Sequence, residues 1–163
     1  MKNDEVYTPL EVVKKIYDKI KIENYNYIWS PFDEKSSQFI KEGSERNLNI
    51  FATHQKTGED FFKFRFNNID LLISNPPFSL QFEILERCFQ LVEEKSIKSF
   101  CLLFPLSVLE TEKRGNLFEK YNKKLSIIIL KKRIKFIDQK NSFDRGCCWI
   151  CYNIQDLPPL SWL

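Results

Sequence analysis

The residues best suited to chemistry are Asn75, Pro76, Pro77 and Phe78, which follow the apolar run Ile69 to Ser74. An exocyclic amino nitrogen is a poor nucleophile because its lone pair is delocalised into the ring. Chemistry there requires acceptors for its hydrogens, and the Asn75 carboxamide oxygen and the Pro76 carbonyl are two such acceptors. Pro77 fixes its own φ and restricts the residue before it, which keeps both acceptors in place. The motif therefore predicts chemistry on the amino group of a flat base.

Phe78 adds an aromatic face on which a base taken out of its stack can rest. Such stacking contributes about 1–3 kcal/mol per base in proteins that bind single strands. The same four residues are also typical of an ordinary turn at a strand end, because Asn and Pro are common turn residues. The aromatic residue and the hydrophobic strand before the motif favour the catalytic interpretation.

These residues resemble the signature of the amino-methyltransferases that use S-adenosylmethionine, in which Asp, Asn or Ser precedes Pro-Pro and Tyr or Phe. The form Asn-Pro-Pro-Phe after a hydrophobic strand is most similar to the DNA adenine methyltransferases, particularly the small bacteriophage enzymes. A second similarity is Val6-Tyr7-Thr8-Pro9 followed by Val12-Val13, which resembles the segment that begins the family's cofactor site. The resemblance implies methyl transfer from S-adenosylmethionine to an adenine amino nitrogen, with Asn75 to Phe78 as the catalytic residues.

The resemblance also implies a cofactor site built from three segments. After the first strand, Pro31-Phe32-Asp33 matches the family, but Glu34-Lys35-Ser36 stands where a glycine-rich turn is usual. Glycine lets a backbone approach a ligand closely, so this loop is expected to be wider or differently shaped. Asp60-Phe61 resembles a segment in which the aspartate accepts the cofactor's amino group and the phenylalanine packs on its ring. The implied cofactor residues are Tyr7, Thr8, Pro9, Pro31, Phe32, Asp33, Asp60 and Phe61.

Several positions near this site leave alternatives open. Residues 35–39 begin either a helix whose N-terminus points at the methionine carboxylate or a plain surface turn. The family often has an acidic residue after the second strand, whereas Thr53-His54-Gln55 has none. His54 or Gln55 is then a candidate hydrogen-bond partner for the ribose, or an ordinary turn residue. Asp60-Phe61 is alternatively an exposed acid beside a core aromatic.

Charge is distributed unevenly, and the second half of the chain is basic. Residues 1–94 carry 12 Lys/Arg and 16 Asp/Glu, and residues 95–163 carry 13 and 6. The run Lys131-Lys132-Arg133, with Lys135 and Phe136 behind it, suits contact with the phosphates of DNA, or of RNA. Charge runs are also typical of a solvated strand end.

Two more residues are candidates for substrate contact. Phe143 precedes the last strong strand, where the resemblance implies an aromatic that closes over the target base. A phenylalanine there equally suits the core. Arg114 is expected either to meet a phosphate or to lie at a helix start. The substrate-binding candidates are Phe143, Lys132 and Arg133.

Alternating apolar patterns predict an α/β fold. A capping-box spacing at Thr8-Pro9-Leu10-Glu11, with proline at the first helical position, predicts a helix. Apolar positions predict further helices over 85–92 and 117–121, and short runs predict strands at 27–30, 48–53, 69–74, 99–104, 125–130 and 147–153. Such alternation favours a mostly parallel sheet with helices on both faces and ligands at the strands' carboxyl ends. The resemblance implies the Rossmann-like S-adenosylmethionine-dependent methyltransferase fold, with seven strands, one of them antiparallel, and a third strand near 60–64.

Composition places further bounds on the chain. A chain of 163 residues that is 43% hydrophobic favours one domain over 1–163, without a separate target-recognition domain. Because no apolar run reaches the length of a membrane span and no signal-like stretch follows the N-terminus, we expect a cytoplasmic protein with no membrane partner. Alternation along a strand would separate Cys148 from Cys147 and Cys151. With His54 as the single histidine, no metal site is expected.

Two alternative functions remain open. The Asn-Pro-Pro motif also serves enzymes that methylate RNA adenine or glutamine amides in proteins, because an amide and a base amine pose the same lone-pair problem. The glycine-poor loop would also suit a catalytically inactive, methyltransferase-like module that binds nucleic acid.

Overall fold

The computed structural model of the chain describes residues 7–137 and 143–163, so that Val6, part of the predicted cofactor segment, lies outside the described residues. Within the described part, seven strands form one sheet in the order β2-β1-β3-β4-β6-β5-β7. The strands are β1 (Ile28–Pro31), β2 (Ile50–Thr53), β3 (Ile69–Ser74), β4 (Ile97–Pro105), β5 (Leu125–Ile129), β6 (Cys147–Tyr152) and β7 (Leu160–Trp162). The α-helices are α1 (Leu10–Ile20), α2 (Gln38–Glu45), α3 (Gln81–Glu93) and α4 (Glu112–Tyr121).

Strand directions confirm the predicted mostly parallel sheet. β6 runs antiparallel to its neighbours β4 and β5, whereas the other pairings are parallel. The chain moves outward from β1 to β2 on one side and returns to β3 on the other side. Ligands in such sheets bind where the winding reverses, outside the carboxyl ends of the strands. A ligand site is therefore expected outside the carboxyl ends of β1 and β3.

One predicted strand is wrong. Residues 60–64 form a turn, in which the backbone N–H groups of Lys63 and Phe64 donate to the Asp60 carbonyl at 3.0 and 2.8 Å. The seventh strand is instead β7, at the opposite end of the chain. The sequence gives little signal for β7 because it has three residues, and two of them, Leu160 and Trp162, are about half exposed.

Helices cover both faces of the sheet, as predicted. α1 and α2 pack on one face and α3 and α4 on the other. β6 shows the predicted alternation, because Cys147 and Cys151 face the α1 side and Cys148 faces the α3 side. Among the largest buried side chains on the α1 face are Tyr17, Phe39 and Trp149, and on the α3 face Trp29, Phe89 and Phe100.

The start of α1 differs from the predicted capping box. The helix begins at Leu10, and its N-cap is Pro9, which has an extended backbone and whose carbonyl accepts from the N–H groups of Val12 and Val13. The N-cap contributes no side-chain hydrogen bond, and Thr8 is buried instead of capping the helix. Proline without an N–H is well tolerated at this end of a helix. The Thr8 hydroxyl is therefore left available for another role.

Two features have no counterpart among the described residues. No helix there combines the length and apolar character that crossing a bilayer requires. No group of three or more His, Cys, Asp or Glu side chains is placed there to hold a metal ion.

Candidate active site

The Asn-Pro-Pro-Phe motif lies at the rim of the sheet. Asn75 is the first residue after β3, and its side-chain oxygen is shielded from solvent although the residue as a whole is half-buried. Pro76 is buried, and Pro77 is the extended N-cap of a short 3-10 helix that leads into α3. Pro77 thus holds the chain extended between the buried strand β3 and the helical turn that leads into α3.

A cavity of about 480 Å³, lined mostly by charged and hydroxyl-bearing residues, opens at the carboxyl ends of β1 and β2, and we call it the β1–β2 cavity. Two of its acidic members, Glu34 and Glu59, have lowered pKa values. Hydrogen bonds from the Tyr7 hydroxyl and from Lys56 lower the pKa of Glu34, and hydrogen bonds from the Thr57 hydroxyl and the His54 backbone lower the pKa of Glu59. The cavity is lined by Asp33, Glu34, Lys35, Ser36, Ala52, Thr57 and Glu59.

A second cavity of about 300 Å³, the β3–β4 cavity, lies at the ends of β3 and β4. Phe78 and Phe143 line it, with ring centroids 5.6 Å apart. Phe136 packs behind both rings, at 6.2 Å from Phe78 and 5.6 Å from Phe143. The structure therefore brings together the two aromatics that the sequence analysis assigned to the target base. The remaining lining residues are Ser79, Gln81, Pro105, Asp144 and Arg145.

In strand order, Asn75 lies between the strand ends that border these two cavities. Across the sheet the order is β2, β1, β3, β4, and Asn75 follows the third of these strands. Neighbouring strands are about 5 Å apart, so a group on one side of Asn75 and a group on the other are separated by only a few strand widths. The geometry suits a reaction between two ligands that meet at Asn75.

Four of the predicted cofactor residues lie at or near the β1–β2 cavity. Asp33 lines it. The Tyr7 hydroxyl donates to Glu34 Oε1 at 3.1 Å, which holds the N-terminal segment against the cavity wall. Thr8, next in the chain, has a buried Oγ1 with no hydrogen-bond partner among the described residues. Pro9 follows as the N-cap of α1.

The other predicted cofactor residues pack against, or form hydrogen bonds with, neighbouring residues of the protein. Pro31 is the buried last residue of β1. The Phe32 ring lies 4.7 Å from that of Phe61, which is itself 5.7 Å from Trp29 in the core. Asp60 accepts the Phe62 N–H at 3.0 Å within its own turn. Since Phe32, Asp60 and Phe61 are not lining residues of the cavity, their contact with a cofactor stays a prediction.

Sequence reasoning missed Glu59. The family resemblance implies an acidic residue directly after β2, but this position holds His54, which is buried and whose Nδ1 accepts the Lys56 N–H at 3.0 Å. The chain then turns at Gly58, whose φ of 90° favours glycine, and the Glu59 N–H returns to the His54 carbonyl at 3.2 Å. This turn carries Glu59 back to the cavity. In the sequence, the pair Thr57-Gly58 is the signal that indicates this turn.

The predicted basic run lies on the same edge of the sheet as Asn75. Lys132 and Arg133 are exposed just beyond the end of β5, which is parallel to β3 in sense. Together with Lys15 of α1 they line a shallow cavity of about 240 Å³. The phosphate-binding role of this run stays a prediction.

The Arg114 guanidinium forms hydrogen bonds within the protein. Its Nε and Nη2 atoms each donate at 2.7 Å to backbone carbonyls, those of Val108 and Ser107 respectively. These bonds tie α4 to the 3-10 turn that follows β4. The guanidinium thus stabilises the loop beside the β3–β4 cavity.

Replacing Arg114 with glutamine is expected to lower the free energy of unfolding by about 1.5–3 kcal/mol, the usual contribution of hydrogen bonds to a charged group. Urea denaturation of the purified chain measures this loss. Lys123→Gln, an exposed substitution at the other edge of the sheet, is the control and should change stability by less than about 0.5 kcal/mol. Unchanged stability of the Arg114 variant, with weaker nucleic-acid binding, would instead indicate a phosphate contact.

No protein-family model and no curated protein sequence matches this chain. Solved structures, however, share its fold at low sequence identity. A protein assigned as the modification subunit of a type I restriction enzyme of Vibrio vulnificus YJ016 is 14% identical, with a TM-score of 0.62 over 96% of this chain. The chain spans 45% of that protein's length.

Two further structures support the same fold. A Pyrococcus horikoshii protein assigned as an RNA methyltransferase is 12% identical, with a TM-score of 0.56, over 91% of this chain and 85% of its own. A dimethyladenosine transferase from Plasmodium falciparum is 11% identical, with a TM-score of 0.55, over 91% of this chain and 62% of its own. The chain has the Rossmann-like fold of the S-adenosylmethionine-dependent methyltransferases.

Proposed function

We propose that the chain transfers a methyl group from S-adenosylmethionine to the exocyclic amino nitrogen of adenine in DNA. The observation that carries this proposal is the position of Asn75 directly after β3, between the strand ends that border the two cavities, where the sheet's winding reverses. The proteins of similar fold support it at the level of class, since one is a dimethyladenosine transferase and another is assigned as the modification subunit of a type I restriction enzyme.

The β1–β2 cavity suits S-adenosylmethionine in size and chemistry. Its volume of about 480 Å³ lies within the range of small-molecule sites. The carboxylates of Glu34 and Glu59 can accept hydrogen bonds from hydroxyl and amino groups, and the Lys35 ammonium can pair with a carboxylate. The buried Thr8 hydroxyl, next to Tyr7 at the cavity wall, is a further polar group suited to the ligand. When bound, S-adenosylmethionine supplies an electrophilic methyl carbon.

Asn75 and Pro76 would act on the amine. The Asn75 carboxamide oxygen accepts one N–H and the Pro76 carbonyl accepts the other, which restores lone-pair character to the nitrogen. Pro77 holds the two acceptors in place, so they need no reorganisation during the reaction. Positioning of this kind removes the need for a strong general base.

The β3–β4 cavity would hold the target base. Phe78 and Phe143 offer ring faces for a base taken out of the duplex, and Phe136 keeps both rings in place. The loop that carries Phe143 is tied back by its N–H, which donates to the Ile134 carbonyl at 2.7 Å. The aromatic pair is thus supported from behind before a base arrives.

Lys132 and Arg133 would contact phosphates beside this cavity. Replacing either with alanine is expected to weaken binding to all DNA sequences alike, and to reduce the slope of log K against log salt by about 1 per lost contact. Fluorescence anisotropy with a labelled duplex at several salt concentrations measures this slope. Lys124→Ala, at the opposite edge of the sheet, is the matched control, and an equal effect of that variant would contradict a local phosphate contact.

One observation favours a second candidate function. Glu34 and Lys35 place charged side chains at the cavity where the family usually has glycines, and Glu34 is already bonded to Tyr7. A module that binds nucleic acid without the cofactor would tolerate such a loop. Calorimetry with S-adenosylmethionine separates the two, since the module predicts no binding.

Labelled S-adenosylmethionine offered with DNA, RNA or protein tests the substrate. The proposal expects label in DNA, on the N6 atom of adenine. Label in RNA adenine alone would move the function to RNA, and label in protein glutamine alone would overturn the adenine assignment.

A further inference from the structure

The backbone ladder between β1 and β3 ends before the strands do. Its last pair is Trp29 with Leu72, although β1 continues to Pro31 and β3 to Ser74. Pro31 has no N–H to offer to a ladder. The ends of the two strands that flank the proposed site therefore need another connection.

Two serine side chains supply that connection in a crossed pattern. Ser30 on β1 donates from Oγ to the Ile73 carbonyl on β3 at 2.7 Å. Ser74 on β3 donates from Oγ to the Pro31 carbonyl on β1. We call Ser30 and Ser74 the serine clamp. Both residues are fully buried, so water does not compete for these bonds.

A buried carboxyl joins the clamp. Asp33 Oδ2 lies 2.8 Å from Ser30 Oγ and 2.5 Å from Ser74 Oγ. Each serine hydroxyl has one hydrogen, and each already has a carbonyl to which it can donate. Two hydrogens cannot serve two carbonyls and a carboxylate together. A proton on Asp33, donated to one of the two serine oxygens, adds a third hydrogen, so that three of the four contacts are satisfied instead of two.

The surroundings of Asp33 favour the neutral acid. The residue is 8% exposed, and burial raises the pKa of its carboxyl to about 7, although hydrogen bonds from Ser74, Ser30 and Ser37 act in the opposite direction. The Tyr17 phenol faces it from α1 and has a raised pKa of its own because of burial and of Asp33. The charged groups on the packed elements are Glu34 and Lys35 on its own loop, Glu59 after β2, and, beside Tyr17, Glu42 of α2 and Arg46 directly after that helix.

We propose that Asp33 is a positioning residue that fixes Asn75 by donating its carboxyl proton to the serine clamp. Asn75 follows Ser74 directly, so whatever holds the Ser74 hydroxyl also holds the start of the catalytic segment. When the proton leaves, a serine hydroxyl must turn from its carbonyl to the carboxylate, and the link between β1 and β3 weakens. The effect on catalysis rests on the proposed function, whereas the proton and the clamp do not.

Carbon-13 NMR of the full chain labelled at aspartate carboxyls tests the proton, without cofactor or DNA. We expect a signal that titrates near pH 7, well above the ordinary aspartate range of about 4, and that disappears in Asp33→Asn. Asp70→Asn is the control, because Asp70 pairs with Lys98 at the other end of β3 and its loss should leave the signal unchanged. Titration of every aspartate below about pH 5 would overturn the proposal.

The Asn75 side-chain amide tests the positioning. Its proton and nitrogen shifts should follow the same titration in the natural chain and become independent of pH in Asp33→Asn, whose amide keeps a donor in place. Ser74→Ala removes the largest hydrogen bond that lowers the Asp33 pKa, so it should move the titration to higher pH. Asn75 amide shifts that stay constant while Asp33 titrates would overturn the positioning role. A chain that passes these tests but transfers no methyl group would contradict only the proposed function.

Thermal stability supplies an independent measurement if the NMR signals overlap. The folded-state pKa of Asp33, about 7, lies above its ordinary value of 3.8, so the folded chain holds an extra proton between those values. The stability that this proton provides is present at low pH and is lost as pH rises through 7. The melting temperature of Asp33→Asn relative to the natural chain should therefore rise between about pH 5 and pH 8. A difference that stays constant or falls would count against the proposal.

Discussion

Replacing Asn75 with alanine is expected to slow methyl transfer by about 100- to 1,000-fold, the usual loss when one preorganised hydrogen-bonding group of an active site is removed. The reason is that the carboxamide oxygen accepts an N–H of the amine and so directs the nitrogen lone pair at the methyl carbon, an effect that is exerted only during the reaction. Binding of S-adenosylmethionine should change little, because the β1–β2 cavity does not include Asn75 among its lining residues. Single-turnover transfer of labelled methyl groups measures the rate, and calorimetry measures the binding.

The matched control for this variant is Asn116→Ala. Asn116 is an exposed asparagine on α4, so its loss should leave transfer and stability unchanged. An Asn75→Ala chain that transfers at the natural rate would remove the proposed mechanism even if methylation itself is observed. A chain that loses cofactor binding as well would show that Asn75 acts on the fold of the rim.

Replacing Phe89 with alanine is expected to lower the free energy of unfolding by about 3–5 kcal/mol, as for other buried phenylalanines. Phe89 is fully buried on α3, stacked on Tyr121 at 3.9 Å and packed edge-on to Phe100 and Tyr152 at 5.1 and 5.2 Å. The substitution would leave a cavity bounded by three rings that are fixed to separate elements and cannot all close it. Urea denaturation monitored by circular dichroism measures the change.

Phe62→Ala provides the control for the core substitution. Phe62 is 37% exposed and lies in the turn after Asp60, so its loss should cost well under 2 kcal/mol. Comparable losses for the two variants would contradict the described packing of α3 on the sheet.

The central strands were predictable because a strand that is buried on both faces consists of a continuous run of apolar residues, which is visible in the sequence. β3 and β6 illustrate this, since their buried residues alternate between the two helical layers. β7 was not predictable because an edge strand of three residues with exposed Leu160 and Trp162 has no such pattern. The strand predicted near 60–64 was wrong because the aromatic residues of this segment lie in a turn, from which they pack against the core.

The candidate site was predictable only where function depends on residues adjacent in the chain. Asn75 and Phe78 could be assigned from one short motif, and Phe143 from its place before a strand. The contact of Phe143 with Phe78 required the sheet order, which sets β4 beside β6. Glu59 was not predicted because its position depends on the turn at Gly58, for which Thr57-Gly58 is the only sequence signal. The serine clamp was not predicted because it depends on the pairing of β1 with β3, which leaves no pattern in the sequence.

In the proposed function, Asn75 presents an amine to a methyl donor held in the β1–β2 cavity. A crystal structure of the chain with S-adenosylhomocysteine, the product that remains after transfer, tests this most directly. We expect the nucleoside to lie against Glu34 and Glu59 with its sulfur directed toward Asn75. Density for the nucleoside at the other end of the sheet, in the cavity beside Tyr27 and Phe66, or a sulfur directed away from Asn75, would contradict it.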